Sequence, residues 1–272
     1  MAYHIIALDL DGTLLTQDKQ ILPQSLDALN EAKKQGATIL IVTGRHHVTI
    51  RPFYHALGLT TPALCCNGTY TYDVQAQKVL QQNPLSLAQS LHVIEKLKSH
   101  GIDTVMYTED AMTYEKADDS ISRWQLWSSK QQAHLRPTIR QVTTFEDAAR
   151  ASQNVWKFAA TSKDNDMLIR LGHELEETFA LSCEFSWHNQ MDIAQSGNSK
   201  GALLRQWVES NGYSMQDVIA FGDNYNDISM IEQAGLGVAM GNSADEIKAH
   251  ADIVTTTNEE PGIANLLKQY LL

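Results

Sequence analysis

Four short stretches bring together residue types that do chemistry. They are Asp9-Leu10-Asp11-Gly12-Thr13, Thr43-Gly44-Arg45, Asn198-Ser199-Lys200-Gly201 and Gly222-Asp223-Asn224-Tyr225-Asn226-Asp227. Asp9 and Asp11 stand two residues apart, so on an extended chain their side chains point to one side. Carboxylates that close repel unless a cation or a proton sits between them. A cation there leaves one oxygen free to attack a substrate. Gly12 lets the chain turn sharply away, although an Asp-Gly turn with a cap at Thr13 is the plainer reading of the same residues. Asp223 and Asp227 add hard oxygen ligands. Mg²⁺ takes a few carboxylates, with water and phosphate completing its octahedron, and Asp9, Asp11 and Asp223 make a fitting set. Asp227 fits better as a helix cap on Ile228–Ala234 or as a supporting group than as a direct ligand. The Thr43 hydroxyl and the Gly44 N–H are donors of the kind a phosphate needs, and Lys200 is a point charge suited to a phosphate oxygen. Each has a plainer alternative, a turn-forming Thr-Gly pair and a solvated helix lysine.

Those stretches need elements to hold them. Ile5 to Leu8 reads as an apolar strand running straight into Asp9. A helix follows over 24–35, with Leu26, Leu29 and Ala32 on one face and Gly36 beyond its end. Thr38 to Val42 is apolar on both faces, as a buried parallel strand should be, and ends at Thr43-Gly44. A histidine-rich helix comes next, with Pro52 better suited to its first turn than to its middle. Pro62 to Cys66 is a further strand, ending at Asn67-Gly68. Near the C-terminus the pattern returns. A helix over 200–210 carries Leu203, Leu204, Trp207 and Val208 on one face, and strands are expected at Val218–Phe221, Leu236–Met240 and Ile253–Val254. Strand, turn, helix, strand at both ends implies an open parallel sheet wound with helices. Ligands of such sheets bind beyond the carboxyl ends of the strands, where the four stretches fall. The middle is more polar in its spacing, holds most of the tryptophans, and offers strands at Thr104–Tyr107 and Val155–Thr161. The expected organisation is a discontinuous core of 1–82 and 189–272 around an inserted domain of 83–188.

Composition narrows the function. The 272 residues carry 21 basic and 32 acidic side chains, a formal charge of −11, with 43% hydrophobic residues. That acidity argues against a nucleic-acid backbone as partner. No apolar run approaches the length of a membrane span. Three cysteines, two of them adjacent at Cys65 and Cys66, do not make a disulfide framework and fit reduced thiols in a cytoplasmic protein. Cys183, Glu184 and His188 do not complete a zinc site. His46 and His47 are expected at a helix start or on the surface, Trp156 and Trp187 in a core, and Asp118-Asp119 in a solvated loop.

Taken together, the four stretches resemble the motifs of the haloacid dehalogenase superfamily. The insert between the second and third motifs resembles the type 2 cap of its Cof-type phosphatases. The resemblance implies an α/β fold, a Rossmannoid parallel sheet core with an α+β cap that closes over the site. It implies a Mg²⁺-dependent phosphomonoester hydrolase with Asp9 as nucleophile, forming an aspartyl phosphate, and Asp11 as acid and then base. It further implies that Asp9, the main-chain carbonyl of Asp11 and Asp223 hold the metal. Leu10 through its N–H, Thr43, Gly44, Lys200 and Asn226 would bind the phosphoryl group, with Asp227 in support. A second acid at Asp11 disfavours carbon–halogen hydrolysis, which has no alkoxide to protonate.

Further stretches, among them Gly44-Arg45-His46-His47, Cys65-Cys66-Asn67-Gly68-Thr69-Tyr70, Val155-Trp156-Lys157-Phe158-Ala159 and Ser186-Trp187-His188-Asn189-Gln190, are similar to bacterial Cof-type phosphatases acting on pyridoxal 5′-phosphate. That resemblance implies the same substrate, with tolerance for other small phosphate esters. The alternatives are a broad sugar-phosphate phosphatase, a phosphomutase using the same residues, or a module that binds a phosphorylated ligand without turning it over.

Overall fold

The computed structural model describes residues 3–271 and divides into two compact units, one of residues up to Gly44, Phe53–Leu80 and Ser199 onward, the other of Arg45–Pro52 and Gln81–Asn198. In chain order the strands before the excursion are β1 (Ile5–Leu8), β2 (Thr38–Ile41), β3 (Ala63–Cys65), β4 (Tyr70–Asp73) and β5 (Lys78–Gln82). Those of the second unit are β6 (Asp103–Thr108), β7 (Met112–Tyr114), β8 (Ile139–Gln141), β9 (Val155–Thr161), β10 (Leu181–Trp187) and β11 (Gln190–Gln195). The chain then returns to the first unit for β12 (Val218–Gly222), β13 (Leu236–Ala239) and β14 (Ile253–Val254).

The first unit is built on a five-stranded sheet in the order β14-β13-β12-β1-β2, and its pairings are parallel. All four residues of β1 and all five of β12 are buried, because helices cover a parallel sheet on both faces. On one face Ile5, Ala7, Leu40 and Val218 pack with Leu203, Leu204 and Val208 of the helix Lys200–Ser210. A first helix, Pro23–Lys34, has proline in its opening turn and buries Ala28, Leu29 and Ala32, with proline pre-set to a helical φ. Successive strands run from β1 to β2 on one side and from β12 to β14 on the other. The carboxyl end of β1 is therefore the point where strand order reverses, the place such sheets keep for ligands. β3 belongs to a small sheet in the order β3-β4-β5 and joins β2 through a single parallel bridge, Val42 to Leu64.

The second unit holds a six-stranded sheet in the order β10-β11-β9-β6-β7-β8, antiparallel except for β7 with β8. Val93, Ile94 and Leu97 of the helix Leu87–Ser99 and Leu168, Leu171 and Leu175 of the helix Asn165–Phe179 pack on Met106, Phe158 and Ile193. The sequence expectation put the return to the core at residue 189. Instead β11 pairs with both β9 and β10, and the second unit runs to Asn198 and also takes Arg45–Pro52.

Three smaller expectations are corrected. Pro52 lies inside the helix His47–Ala56 rather than in its first turn, so that helix lacks one backbone donor at mid-length. Trp156 is fully buried, but Trp187 is 64% exposed. Asp118 is no solvated loop residue, since its carboxylate accepts the Ile121 N–H at 2.7 Å and caps the helix Asp119–Ser129. His46 and His47 stand at a helix start, as expected, and are buried there. His46 Nδ1 accepts the Val48 N–H at 3.1 Å, which leaves Nε2 to donate to the Thr108 carbonyl at 2.6 Å. Both ring nitrogens are thus committed to a neutral imidazole.

Burial holds His46 down to about 4 and His47 to about 2, below the ordinary histidine value of about 6.5. The unfolded chain then binds more protons than the folded one between these limits, so folded stability falls as pH drops from about 6.5 towards 4. Thermal unfolding over that range should show a shallower pH slope in His46→Gln than in the wild type. Equal slopes would contradict the neutral, buried assignment.

Candidate active site

Asp9 continues β1 as its first residue past the strand, and its N–H is still held by the Phe221 carbonyl of β12 at 3.1 Å. The side chain is buried and accepts a hydrogen bond from Lys200 Nζ at 2.7 Å. Lys200 opens its helix behind Ser199, whose hydroxyl accepts the Ala202 N–H and caps the first turn. The lysine is 1% exposed, and the same ammonium reaches Asp227 Oδ1 at 2.6 Å. A solvated helix lysine is thereby ruled out. Asp227 Oδ2 in turn accepts the backbone N–H groups of Asp223 and Asn224 at 2.9 and 3.0 Å. Its role is therefore to fold the turn after β12 and to grip Lys200. It forms a reciprocal box with Asn224 and makes no side-chain cap on the helix Ile228–Gln233.

Asp223 Oδ1 accepts the Thr13 hydroxyl at 2.8 Å, joining the turn after β1 to the turn after β12. Gly12 has φ +80°, and a Cβ there would overlap the Asp223 carboxylate. Only glycine meets both conditions. The turn is also held by Asn242, which donates to the Gly12 carbonyl at 2.9 Å, and by Asn258, which donates to the Leu15 carbonyl at 2.8 Å.

Asp9 and Asp11 are not joined by an extended strand. β1 ends at Leu8 and the backbone turns at Leu10, and the Asp11 charge still lies near enough to raise Asp9. Asp11 is half-exposed and paired with Lys19 Nζ at 2.7 Å. Among the described residues, the acidic group able to share an ion is Asp9, Asp223 and Asp227, with ligand oxygens within 4.8 Å of one another. Asp227 stands in that group where residue types alone suggested the Asp11 carboxylate, and the family resemblance implied only the Asp11 main-chain carbonyl.

Charge tests whether this group suits a divalent cation. Were all three carboxylates ionised, they would face one ammonium and leave two negative charges uncompensated. Burial, together with the Asp227 charge, pushes Asp9 up to about 7 despite the opposing pull of Lys200. Burial and the charges of Asp227 and Asp9 push Asp223 well above the usual carboxylate range. Burial alone would lower Lys200, but Asp227 and Asp9 outweigh it and hold the ammonium above the ordinary lysine value. A hard divalent ion supplies the missing charge and accepts oxygen ligands of this kind. The residues fit such an ion.

The phosphate donors inferred from the sequence gather beside this cluster. Thr43 is buried at the end of β2, where its N–H is held by the Leu64 carbonyl at 2.9 Å. A Cβ on Gly44 would lie 3.5 Å from Asn226 Nδ2, and Asn226 precedes the Asp227 that binds Lys200. Leu10 follows Asp9 in the turn. One residue of this neighbourhood was not singled out for a role in the sequence. Asn67 is buried and accepts a hydrogen bond from Asn226 Nδ2 at 3.0 Å. An Asn-Gly pair at a strand's carboxyl end was the available signal.

A family model described as haloacid dehalogenase-like hydrolase matches residues 6–267. The chain belongs to the haloacid dehalogenase-like hydrolases. Among relatives, it is 49% identical over 272 residues to the pyridoxal phosphate phosphatase YbhA of Escherichia coli, with 100% of both chains covered. It is 30% identical to the 5-amino-6-(5-phospho-D-ribitylamino)uracil phosphatase YitU of Bacillus subtilis, covering 98% of this chain and 97% of that one. A crystal structure of a haloacid dehalogenase-like hydrolase from B. subtilis superposes with a TM-score of 0.87 at 25% identity, covering 98% and 100% of the two chains. No helix among the described residues of this hydrolase is long and apolar enough to cross a membrane.

Removing Lys200 strands two buried carboxylates. Lys200→Met should lower unfolding stability at pH 8 by about 3–5 kcal/mol, the usual scale for breaking a buried ion pair. The loss should shrink at pH 5, where the carboxylates take up protons instead. Urea unfolding at both pH values checks this, and equal losses would contradict it.

Proposed function

We propose that this chain is a Mg²⁺-dependent phosphomonoester hydrolase that works through an aspartyl phosphate on Asp9, with pyridoxal 5′-phosphate as its foremost substrate. The observation that carries the chemistry is the buried Asp9 carboxylate at the sheet's reversal point, held by Lys200 and neighboured by Asp223. The substrate rests on the full-length similarity to the E. coli pyridoxal phosphate phosphatase.

In the first displacement an Asp9 oxygen bonds to phosphorus as the ester P–O bond breaks. Asp11 gives its proton to the departing alkoxide. In the second, water attacks phosphorus, Asp11 takes the proton, and the bond from phosphorus to Asp9 breaks to free phosphate. Asp11 is paired with Lys19 rather than with Lys200, and its charge acts on Asp9. Lys200, the Thr43 hydroxyl, the N–H groups of Leu10 and Gly44 and the Asn226 amide hold the phosphoryl oxygens, so that attack occurs in line. Asp227 fixes Lys200 and the backbone of Asp223 and Asn224. Mg²⁺, held by Asp9, Asp223 and the Asp11 carbonyl, would supply positive charge against the phosphoryl group.

A second substrate reading, a ribitylaminouracil phosphate, is favoured by the similarity to the B. subtilis phosphatase of that name. Sugar phosphates are the broader alternative. A cytoplasmic location belongs to the same reading.

Phosphate release should be measured with Mg²⁺ across pyridoxal 5′-phosphate, sugar phosphates, a ribityl phosphate and flavin mononucleotide. Pyridoxal 5′-phosphate should be preferred, and Asp9→Asn should lose activity by about a thousandfold or more while keeping its fold, as loss of a covalent nucleophile does. An even spread over sugar phosphates would overturn the named substrate. A folded Asp9→Asn protein with near-normal turnover would overturn the mechanism.

A further inference from the structure

The turn after β3 does something that neither the four motifs nor the catalytic reading accounts for. Three successive residues, Cys66, Asn67 and Gly68, have φ of 51°, 56° and 87°. Left-handed backbone is uncommon for residues other than glycine, because the Cβ then crowds the carbonyl oxygen. Asparagine tolerates it best, and such strain persists where the surroundings fix it.

Each part of this turn touches a different piece of the candidate phosphate site. The Asn67 N–H donates to the Thr43 carbonyl at 3.1 Å. A Cβ on Gly44 would sit 2.7 Å from Asn67 Oδ1, so that oxygen lies directly over the Gly44 backbone. The Gly68 backbone lies against Ser199, the capping residue in front of Lys200, so closely that a Cβ would overlap the Ser199 carbonyl. Asn67 Oδ1 accepts from Asn226 Nδ2 at 3.0 Å. Asn226 Oδ1 is buried and has no hydrogen-bond partner among the described residues.

That last contact decides which end of an amide faces the site. A primary amide is nearly symmetric in shape, and its two ends differ in being donor or acceptor. An anionic phosphoryl group needs the donor end. An accepting oxygen from Asn67 fixes the Asn226 nitrogen on the side of Gly44. One of its two hydrogens satisfies Asn67, and the second remains for the phosphoryl oxygen. The reversed amide would set Asn226 Oδ1 against Asn67 Oδ1, oxygen against oxygen, and present an acceptor to an anion.

We infer that Asn67 is a positioning residue that holds the Asn226 amide with its nitrogen turned towards the Thr43–Gly44 loop, and so sets the affinity of the site for a phosphoryl group. The inference rests on the phosphatase reading and extends it to a residue that touches no substrate.

The test is a double-mutant cycle read by orthophosphate binding and by turnover. Asn67→Gly keeps the left-handed backbone, which glycine adopts freely, and removes only the side chain. With Mg²⁺ present, the inhibition constant of inorganic phosphate against p-nitrophenyl phosphate hydrolysis should rise about tenfold in Asn67→Gly, the scale of one charge-assisted hydrogen bond. Its melting temperature should stay near that of the wild type. Asn226→Ala should weaken phosphate to a similar degree, and the double variant should be no weaker than Asn226→Ala alone, since coupled residues fail to add. Asn67→Asp, which accepts from Asn226 but adds a negative charge, should bind phosphate more weakly than Asn67→Gly. If Asn67→Gly leaves phosphate affinity unchanged in an active enzyme, or its effect adds fully to that of Asn226→Ala, the positioning role is overturned and the phosphatase reading stands. If the wild type neither binds orthophosphate by calorimetry nor releases it from any ester, both fall together.

Discussion

A buried ammonium that faces more carboxylates than it can neutralise organises the first unit. Lys200 holds Asp9 and Asp227, while Asp223 completes an acidic group whose oxygens lie within 4.8 Å of one another. Isolated charges are not buried at such density unless something repays their desolvation. Hydrogen bonds repay part of it. Asp227 is satisfied by Lys200 and two backbone N–H groups, and Asp223 accepts from Thr13. The remainder appears as an unmet negative charge, which is what a divalent ion and a phosphoryl group, acting together, can use. The surrounding sheet makes the cluster possible. Parallel strands buried on both faces bring the ends of β1, β2 and β12 side by side, with the N-terminus of the Lys200–Ser210 helix beside them.

Much of this was legible in the sequence because the strand ends are marked by abrupt changes of residue type. An apolar run ending in Asp9, another ending in Thr43-Gly44 and a third ending in Gly222-Asp223 announce both the sheet and the positions where it stops being structural. The helix over Lys200–Ser210 was legible from its apolar face. The partnerships were not. Lys200 looks like any helix lysine until Asp9 and Asp227, 191 and 27 residues away in sequence, are placed beside it. Asp11 reads as a ligand beside Asp9 until Lys19 is seen to hold its carboxylate. Asn67 reads as a turn residue, and its contact with Asn226 spans 159 residues.

The second unit was less legible, for a physical reason. Antiparallel strands can alternate or not according to what covers them, and β9 is buried along nearly its whole length while β10 is mostly half-exposed. Composition therefore blurred the domain boundary at β11, which carries buried residues like a core strand but pairs with β9 and β10. The segment Arg45–Pro52 carries a similar ambiguity. It follows the Thr43-Gly44 loop in sequence, yet Arg45 lies over the rings of Trp124 and Trp127 at 5.2 and 5.7 Å and His46 bonds to Thr108. Only three-dimensional packing reveals which body a short segment joins.

The central claim is that the surplus carboxylate charge at the end of β1 is the binding energy for a divalent cation. Isothermal calorimetry of Mg²⁺ binding between pH 6 and pH 8, in buffers of different ionisation enthalpy, tests it directly. With Asp9 raised to about 7 and Asp223 raised as well in the metal-free protein, the ion must displace protons at low pH. Its affinity should therefore tighten as pH rises, with protons released on binding, and Asp223→Asn should weaken binding at every pH. Absence of Mg²⁺ binding, or binding that releases no protons and ignores pH, would contradict the account.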